Sequence, residues 1–231
     1  GLTDVGCVRK QNQDAFHIEK LDRHSLLAVV CDGMGGAKSG NVASSLAVDV
    51  FVQEVTRNWT SQTDWDKCDM ILRSAVKLAN FTVYDQACQF EEFSGMGTTL
   101  VAAVIRKNQA SIINVGDSRC YAITNGSIRQ VTKDHSVVQM MVDRGDLTPE
   151  TAKTFPGKNL ITRAVGTEPT ILSDIYRQDM EKGSFLFLCS DGLSNMLDDQ
   201  EILFEVVHGV KKQNCCKRLL NIAKMRGSPD N

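Results

Sequence analysis

Three apolar runs in this chain each stop at an acid. Leu26–Cys31 leads into Asp32-Gly33, Phe185–Cys189 leads through Ser190 into Asp191-Gly192, and Ile112–Val115 leads through Gly116 into Asp117-Ser118. Two further acids stand at similar borders: Gln13-Asp14 precedes the apolar pair Ala15-Phe16, and Asp230 lies in the loop after the last helical stretch. A single Asp-Gly after a strand is an ordinary turn. The recurrence of one device, an apolar strand closed by an acid and a glycine, points to a shared purpose. Carboxylates held together raise one another's pKa by about 1–3 units unless a cation compensates. If these strand ends converge, the natural compensation is a hard divalent ion, Mg²⁺ or Mn²⁺, with oxygen ligands and several retained waters. Spacing along the chain does not place Asp32 beside Asp191, so convergence is an expectation that only a structure tests.

The glycine-rich stretch V-V-C-D-G-M-G-G-A-K-S-G (29–40) has the look of a phosphate cradle but not its spacing. The pattern G-x-x-x-x-G-K-[ST] needs glycine at the positions held by Asp32 and Ala37, and G-x-G-x-x-G needs one where Lys38 stands. Lys38 and Ser39 are therefore read as surface and helix-approach residues, and Gly33, Gly35 and Gly36 as the allowance for a tight turn. His17, His24, His135 and His208 are scattered without ligand spacing. None of the eight cysteines forms a C-x-x-C pair, and Cys215-Cys216 are adjacent, a poor geometry for joint chelation. Cys31, Cys88, Cys120 and Cys189 sit in or beside apolar segments and are expected to be buried, reduced thiols. Neither C-x₅-R nor G-x-S-x-G occurs, so no cysteine or serine nucleophile is in view.

The elements that must position these acids can be read in outline. With 42% hydrophobic and 23% charged residues in 231, the composition is that of a globular protein with a sizeable core. A net charge of -2 leaves no basic footprint for nucleic acid. No apolar run approaches the ~18–20 residues of a membrane span, and residues 1–10 have no signal-peptide character, so a cytosolic location is expected. No repeat or linker divides the chain, which favours one domain over 1–231. Strands are expected over 26–31, 98–105, 110–115, 120–124 and 184–189, with Asn125-Gly126 closing a type I′ hairpin onto S-I-R-Q-V. Helices are expected from Asn41 onward, with Val42, Leu46, Val50, Phe51 and Val55 on one face, and from Asp66 to about Gln89, with Met70, Ile71, Ala75, Leu78 and Val83. A third is capped by Asp198 and runs to His208; a last one begins near Asn214 and stops at Gly227. Strands that pair locally give α+β with antiparallel sheet rather than a doubly wound fold.

Eight motifs, in order and spanning nearly the whole chain, resemble the metal-dependent protein phosphatases of type 2C, the PPM family. They are R-K-Q-N-Q-D-A-F (9–16), V-C-D-G-M-G-G (30–36), G-M-G-T-T-L (95–100), N-V-G-D-S-R (114–119), T-K-D-H-S (132–136), N-L-I-T-R-A-V-G (159–166), C-S-D-G-L (189–193) and S-P-D-N (228–231). Met34 and the compact length resemble the bacterial branch. The resemblance implies a four-layer αββα sandwich, two central antiparallel sheets flanked by helix pairs, with a metal cleft at one end. It implies hydrolysis of phosphoserine and phosphothreonine in proteins by a hydroxide bridging two Mn²⁺ or Mg²⁺ ions, without a phosphoenzyme. Carried over by position, Asp32 bridges the two ions, the Gly33 carbonyl binds the second, and Asp191 and Asp230 hold the first. Asp117 with Asp191 holds a third, weaker ion; Asp14 orients metal-bound water; Arg9 clamps the substrate phosphate. Residues from about 136 to 165 form a flap that helps choose substrates. Phosphorylated Ser/Thr proteins are the implied partners, with a cognate kinase and a monomeric state as further expectations.

Three departures from the family pattern stand out. Gln13 occupies a place where glutamate is common, so the second ion is expected to bind more weakly. Met34 stands where relatives outside the bacterial branch carry a histidine proposed as general acid; His135 is a conceivable donor, though a hydrogen-bonding role at the flap base is the preferred reading. Family members continue after Asp-Asn with an apolar strand, and nothing follows Asn231, which makes Asp230 the least secure ligand. Two competing readings stay open: a catalytically weak or inactive sensor or scaffold of the same fold, and a nucleotide-binding module, which the failed glycine spacing disfavours.

Overall fold

The structure is a computed structural model that describes residues 1–208 and 214–231, with the backbone alone for 36–38. Its larger sheet orders the strands β1 (Asp14–Lys20), β2 (Ser25–Met34), β4 (Leu100–Arg106), β5 (Gln109–Val115) and β8 (Asp174–Asp179), with the short β3 (Gly97–Thr98) paired to the end of β2. The smaller sheet orders β7 (Ser127–Gln130), β6 (Arg119–Thr124) and β9 (Phe185–Cys189). All pairings are antiparallel.

Period-2 alternation decides which face goes where. On β2, Leu27, Val29 and Cys31 are fully buried and pack with Ala102, Val104, Ile113 and Val115 against the helices α1 (Gly36–Asn58) and α2 (Trp65–Gln89). The opposite face of the larger sheet, through Val101, Ala103, Ala110 and Ile112, meets Cys120 and Ala122 of the smaller one. Behind the smaller sheet, Ile123 packs with Ile202, Val206, Leu219 and Ala223 of α6 (Asp199–His208) and α7 (Cys215–Met225). Four layers result: helix pair, sheet, sheet, helix pair. Asn125 and Gly126, at φ 52° and 73°, turn the β6–β7 hairpin, the left-handed pair that a type I′ turn demands.

Several expectations need correcting. The run at Leu26–Cys31 does not stop before Asp32; β2 continues through Met34 because Gly33 and Met34 pair with Thr98 and Gly97. The first long helix starts at Gly36, not Asn41, which places Ser39 in its first turn, buried, with its hydroxyl donating to the Gly35 carbonyl. Ser39 is thus not a surface residue; the Lys38 side chain lies outside the described residues. On α2 the core face is Cys68, Ile71, Leu72, Ala75, Val76, Ala79 and Val83, while Met70 and Leu78 point outward. Cys31, Cys120 and Cys189 are buried as expected, but Cys88 is exposed near the end of α2. Between β7 and β8, α3 (Val137–Arg144) and α4 (Pro149–Ala152) project in the segment read as a flap.

Candidate metal centre

The acids singled out come from five different places in the fold. Asp14 opens β1 directly opposite Asp32 on β2, a pairing of like charges that ordinarily destabilises a sheet. Asp117 follows β5, Asp191 opens the short α5 (Asp191–Ser194) just beyond β9, and Asp230 follows α7. Because β1 runs antiparallel to β2 and β5 runs parallel to it across β4, these ends fall at one edge of the sandwich.

Their charges report on one another. Asp32 is pushed well above the ordinary carboxylate range, first by burial and then by Asp14, Asp191, Asp230 and Asp117. Burial, opposed by the Ser190 hydrogen bond and reinforced by Asp191 and Asp230, lifts Asp14 to about 6. Burial together with Asp191 lifts Asp117 to about 7. Burial and the charge of Asp230 also raise Asp191. The convergence left open by the sequence is therefore real for all five acids. Two cations face them: Arg9, whose Nη2 donates to Asp230 Oδ2 at 2.7 Å, and Arg119, whose charge acts on Asp117 and Asp191.

Backbone and hydroxyl contacts hold the cluster. The Asp32 N–H donates to Thr99 Oγ1 at 2.9 Å, and its carbonyl accepts from Thr99 N at 2.8 Å and Thr98 Oγ1 at 2.9 Å. Thr99 Oγ1 and Ser118 Oγ lie 2.7 Å apart, joining the Asp32 strand to the residue beside Asp117. Ser190 Oγ donates to Asp14 Oδ2 at 2.7 Å, and Asn195 Nδ2 donates to Asp191 Oδ2 at 3.0 Å. Both Asp-Gly copies have the same physical reason. A Cβ on Gly33 would lie 2.0 Å from the Gly40 carbonyl oxygen, and one on Gly192 would lie 1.8 Å from that of Asn231. Each glycine lets a second stretch of backbone pass beside the acid. Gly35 does the turning, at φ 124°.

Gln13 is buried, its carbonyl accepting the Gly33 N–H at 3.0 Å and its own N–H donating to Asn231 Oδ1 at 2.8 Å. Met34 is partly exposed at the end of β2. His135 has both ring nitrogens engaged: Nδ1 accepts from the Gly116 N–H at 3.1 Å and Nε2 faces Asp174 Oδ2 at 3.1 Å. It ties the start of the flap to the loop that carries Asp117. Ser190, Thr98, Thr99, Ser118 and Asn231 were not singled out by sequence reasoning. Their only signal was adjacency to an acid or membership of a quoted motif, because their partners lie far off in the chain.

The donor set fits divalent ions that prefer oxygen. Asp14 Oδ1 is buried without a hydrogen-bond partner, an orphaned acceptor beside four other acids. The neighbouring thiols of Cys31 and Cys189 are pushed well up by burial and stay protonated, which removes soft ligands from the site. Among the described residues no three acidic, imidazole or thiol groups are already drawn together closely enough to hold a metal ion by themselves. The arrangement suits Mg²⁺ or Mn²⁺, which complete their shells with backbone carbonyls and water.

The four-layer sandwich with a cluster of acids at one end is the architecture of a metal-dependent phosphatase. The family described as Protein phosphatase 2C matches residues 8–219, and the chain belongs to that family, in its bacterial branch. It is 36% identical over 200 residues to the serine/threonine phosphatase stp of Listeria welshimeri, covering 87% of this chain and 79% of that one. Among solved structures it superposes on Stp1 of Staphylococcus aureus with a TM-score of 0.89 at 35% identity, covering 99% of this chain and 89% of the other. It also superposes on the catalytic domain of the phosphatase PstP in complex with two manganese ions, with a TM-score of 0.83 at 32% identity, covering 99% and 91%.

Proposed function

We propose that this chain, a metal-dependent serine/threonine protein phosphatase, releases phosphate from phosphoserine and phosphothreonine through two Mn²⁺ or Mg²⁺ ions held by the acid cluster. The observation that carries the reading is the convergence of Asp14, Asp32, Asp117, Asp191 and Asp230 with Arg9 alongside. Asp32, fixed through its backbone by Thr98 and Thr99, would hold the ions together with the Gly33 carbonyl, Asp191 and Asp230, and Asp117 with Asp191 would support a third, weaker one. The ions, when bound, supply an activated water and neutralise charge on the phosphoryl oxygens. Asp14, oriented by Ser190, accepts a hydrogen bond from the attacking water. Arg9 is half exposed beside the cleft and presents a planar fork that meets two phosphate oxygens at once. Ser190 and Ser118 are engaged by Asp14 and Thr99, and the Cys31 and Cys189 thiols stay protonated, which supports direct hydrolysis.

Phosphoproteins are the substrates, a kinase acting on the same proteins is the expected counterpart, and the chain works as a monomer. Among the described residues no helix is long and apolar enough to cross a membrane. The test is hydrolysis of a phosphothreonine peptide and of p-nitrophenyl phosphate with Mn²⁺, with Mg²⁺ and with EDTA, for the wild type and Asp191→Asn. Activity is expected only with metal, and D191N is expected to lose about 10²–10³-fold, the scale of a removed charge-stabilising group. Metal-independent turnover, or full activity in D191N, would overturn the assignment. Trapping of a ³²P-labelled protein intermediate would overturn direct hydrolysis, and an inactive wild type would favour the scaffold reading.

A further inference from the structure

The segment that carries Arg9, residues 5 to 13, has almost no regular structure; it is a loop between the start of the chain and β1. Such a loop positions a charged side chain only if something else holds its path. The Cys7 N–H donates to the Ser228 carbonyl at 2.9 Å, Arg9 itself pairs with Asp230 at 2.7 Å, and one side chain adds three bonds across the neck. Asn231 Nδ2 donates to the Val5 carbonyl at 2.9 Å and to the Gln11 carbonyl at 3.3 Å, and Asn231 Oδ1 accepts the Gln13 N–H at 2.8 Å. The amide thus closes the loop across its neck, with Arg9 at the apex. A carboxamide does this because it carries two donors and an acceptor on one short side chain. Aspartate has no donor for the two carbonyls, and serine is too short to reach three groups. The loop is pressed onto the same place from below, where Gly6 admits the Asp230 carbonyl: a Cβ there would lie 2.1 Å from it.

We infer that Asn231 is a positioning residue for Arg9: its carboxamide closes the 5–13 loop so that the guanidinium, paired with Asp230, is held at the phosphate. The inference rests on Arg9 being the phosphate clamp. Misplacing a reacting group by about 1 Å costs up to about 10²-fold in rate. Asn231 is adjacent to Asp230, so its role could instead be to hold that metal ligand, and the experiment is built to separate the two.

The test is a double-mutant cycle of Arg9→Ala and Asn231→Ala on a phosphothreonine peptide at saturating Mn²⁺, together with Mn²⁺ titrations and hydrogen exchange of residues 5–13. If Asn231 acts through Arg9, N231A lowers kcat/KM by about tenfold and R9A/N231A is no worse than R9A, the signature of coupled residues. The Mn²⁺ half-saturation stays within about twofold, and exchange rises in 5–13. Asn231→Asp, which keeps the acceptor and loses the donors, behaves as N231A does. Losses that multiply in the double variant overturn the inference, as does an N231A defect that extra Mn²⁺ restores, since that assigns Asn231 to Asp230. A normal R9A enzyme overturns the clamp reading itself, a distinct result. Should N231A not melt cooperatively, the same cycle with Asn231→Ser, which keeps one hydrogen bond, decides the matter.

Discussion

Gln13 is neutral in a cluster of acids, and that choice sets two properties in opposite directions. Gln13→Glu is expected to lower the Mn²⁺ half-saturation by about three- to tenfold, since affinity in oxygen-ligand sites follows ligand charge. In EDTA the same variant is expected to melt below the wild type, because it adds a buried charge of the wrong sign. Equal metal affinity in the two proteins would show that position 13 does not face an ion. Titration of the cluster makes a second residue-scale prediction. Asp117 lies at about 7 against an ordinary 3.8, chiefly through burial and Asp191. The folded, metal-free chain therefore holds this proton more tightly than the unfolded chain, and stability is lost as pH rises from about 4 to about 7. Asp117→Asn removes that loss. In EDTA its melting advantage over wild type is expected to be small near pH 4 and to grow to about 10 °C above pH 7; an advantage independent of pH would contradict it.

At the scale of elements, what the two Asp-Gly devices share is a strand or helix end that tolerates a second backbone at van der Waals distance. Gly192→Ala would drive a methyl group into the Asn231 carbonyl. The expected result is a loss of more than about tenfold in activity with a raised Mn²⁺ requirement, because residues 230 and 231 are displaced while the core is untouched. Gly126→Ala is the control: its φ is 73° but nothing lies within 4 Å. It should cost about 1 kcal/mol in a denaturant melt and leave activity unchanged. The strands that could be read beforehand, β2, β4, β5, β6 and β9, are those where apolar residues run together, whether or not both faces are buried. The edge strands β1 and β8, D-A-F-H-I-E-K and D-I-Y-R-Q-D, were missed because each mixes charged residues with a half-buried face. The acids themselves were legible from their repeated context. The groups that hold them were not, since Ser190 reaches Asp14 across 176 positions and Asn231 reaches Gln13 across 218.

At the scale of the whole molecule, the segment 136–165, expected to act as a flap, is tied to the acid-bearing edge through Val165 and through the neighbouring His135. Val165 exchanges backbone hydrogen bonds with Thr98, whose hydroxyl holds the Asp32 carbonyl, and His135 holds Gly116. Replacing residues 139–158 with a short Gly-Ser linker keeps both anchors. Hydrolysis of p-nitrophenyl phosphate is then expected to stay within about threefold, while a phosphoprotein substrate loses about tenfold or more in kcat/KM, a loss of substrate binding rather than chemistry. Equal losses on both substrates would place the flap in the chemistry instead. The meeting of Arg9 and Asp14 with Asp230 and Asn231 has a temporal meaning as well. A ribosome delivers the loop with Arg9 first and its anchor more than two hundred residues later. Until residue 231 emerges, a nascent chain has neither the carboxylate that pairs with Arg9 nor the amide that closes its loop. On the proposed reading, activity is then expected to arise only after synthesis has passed residue 231.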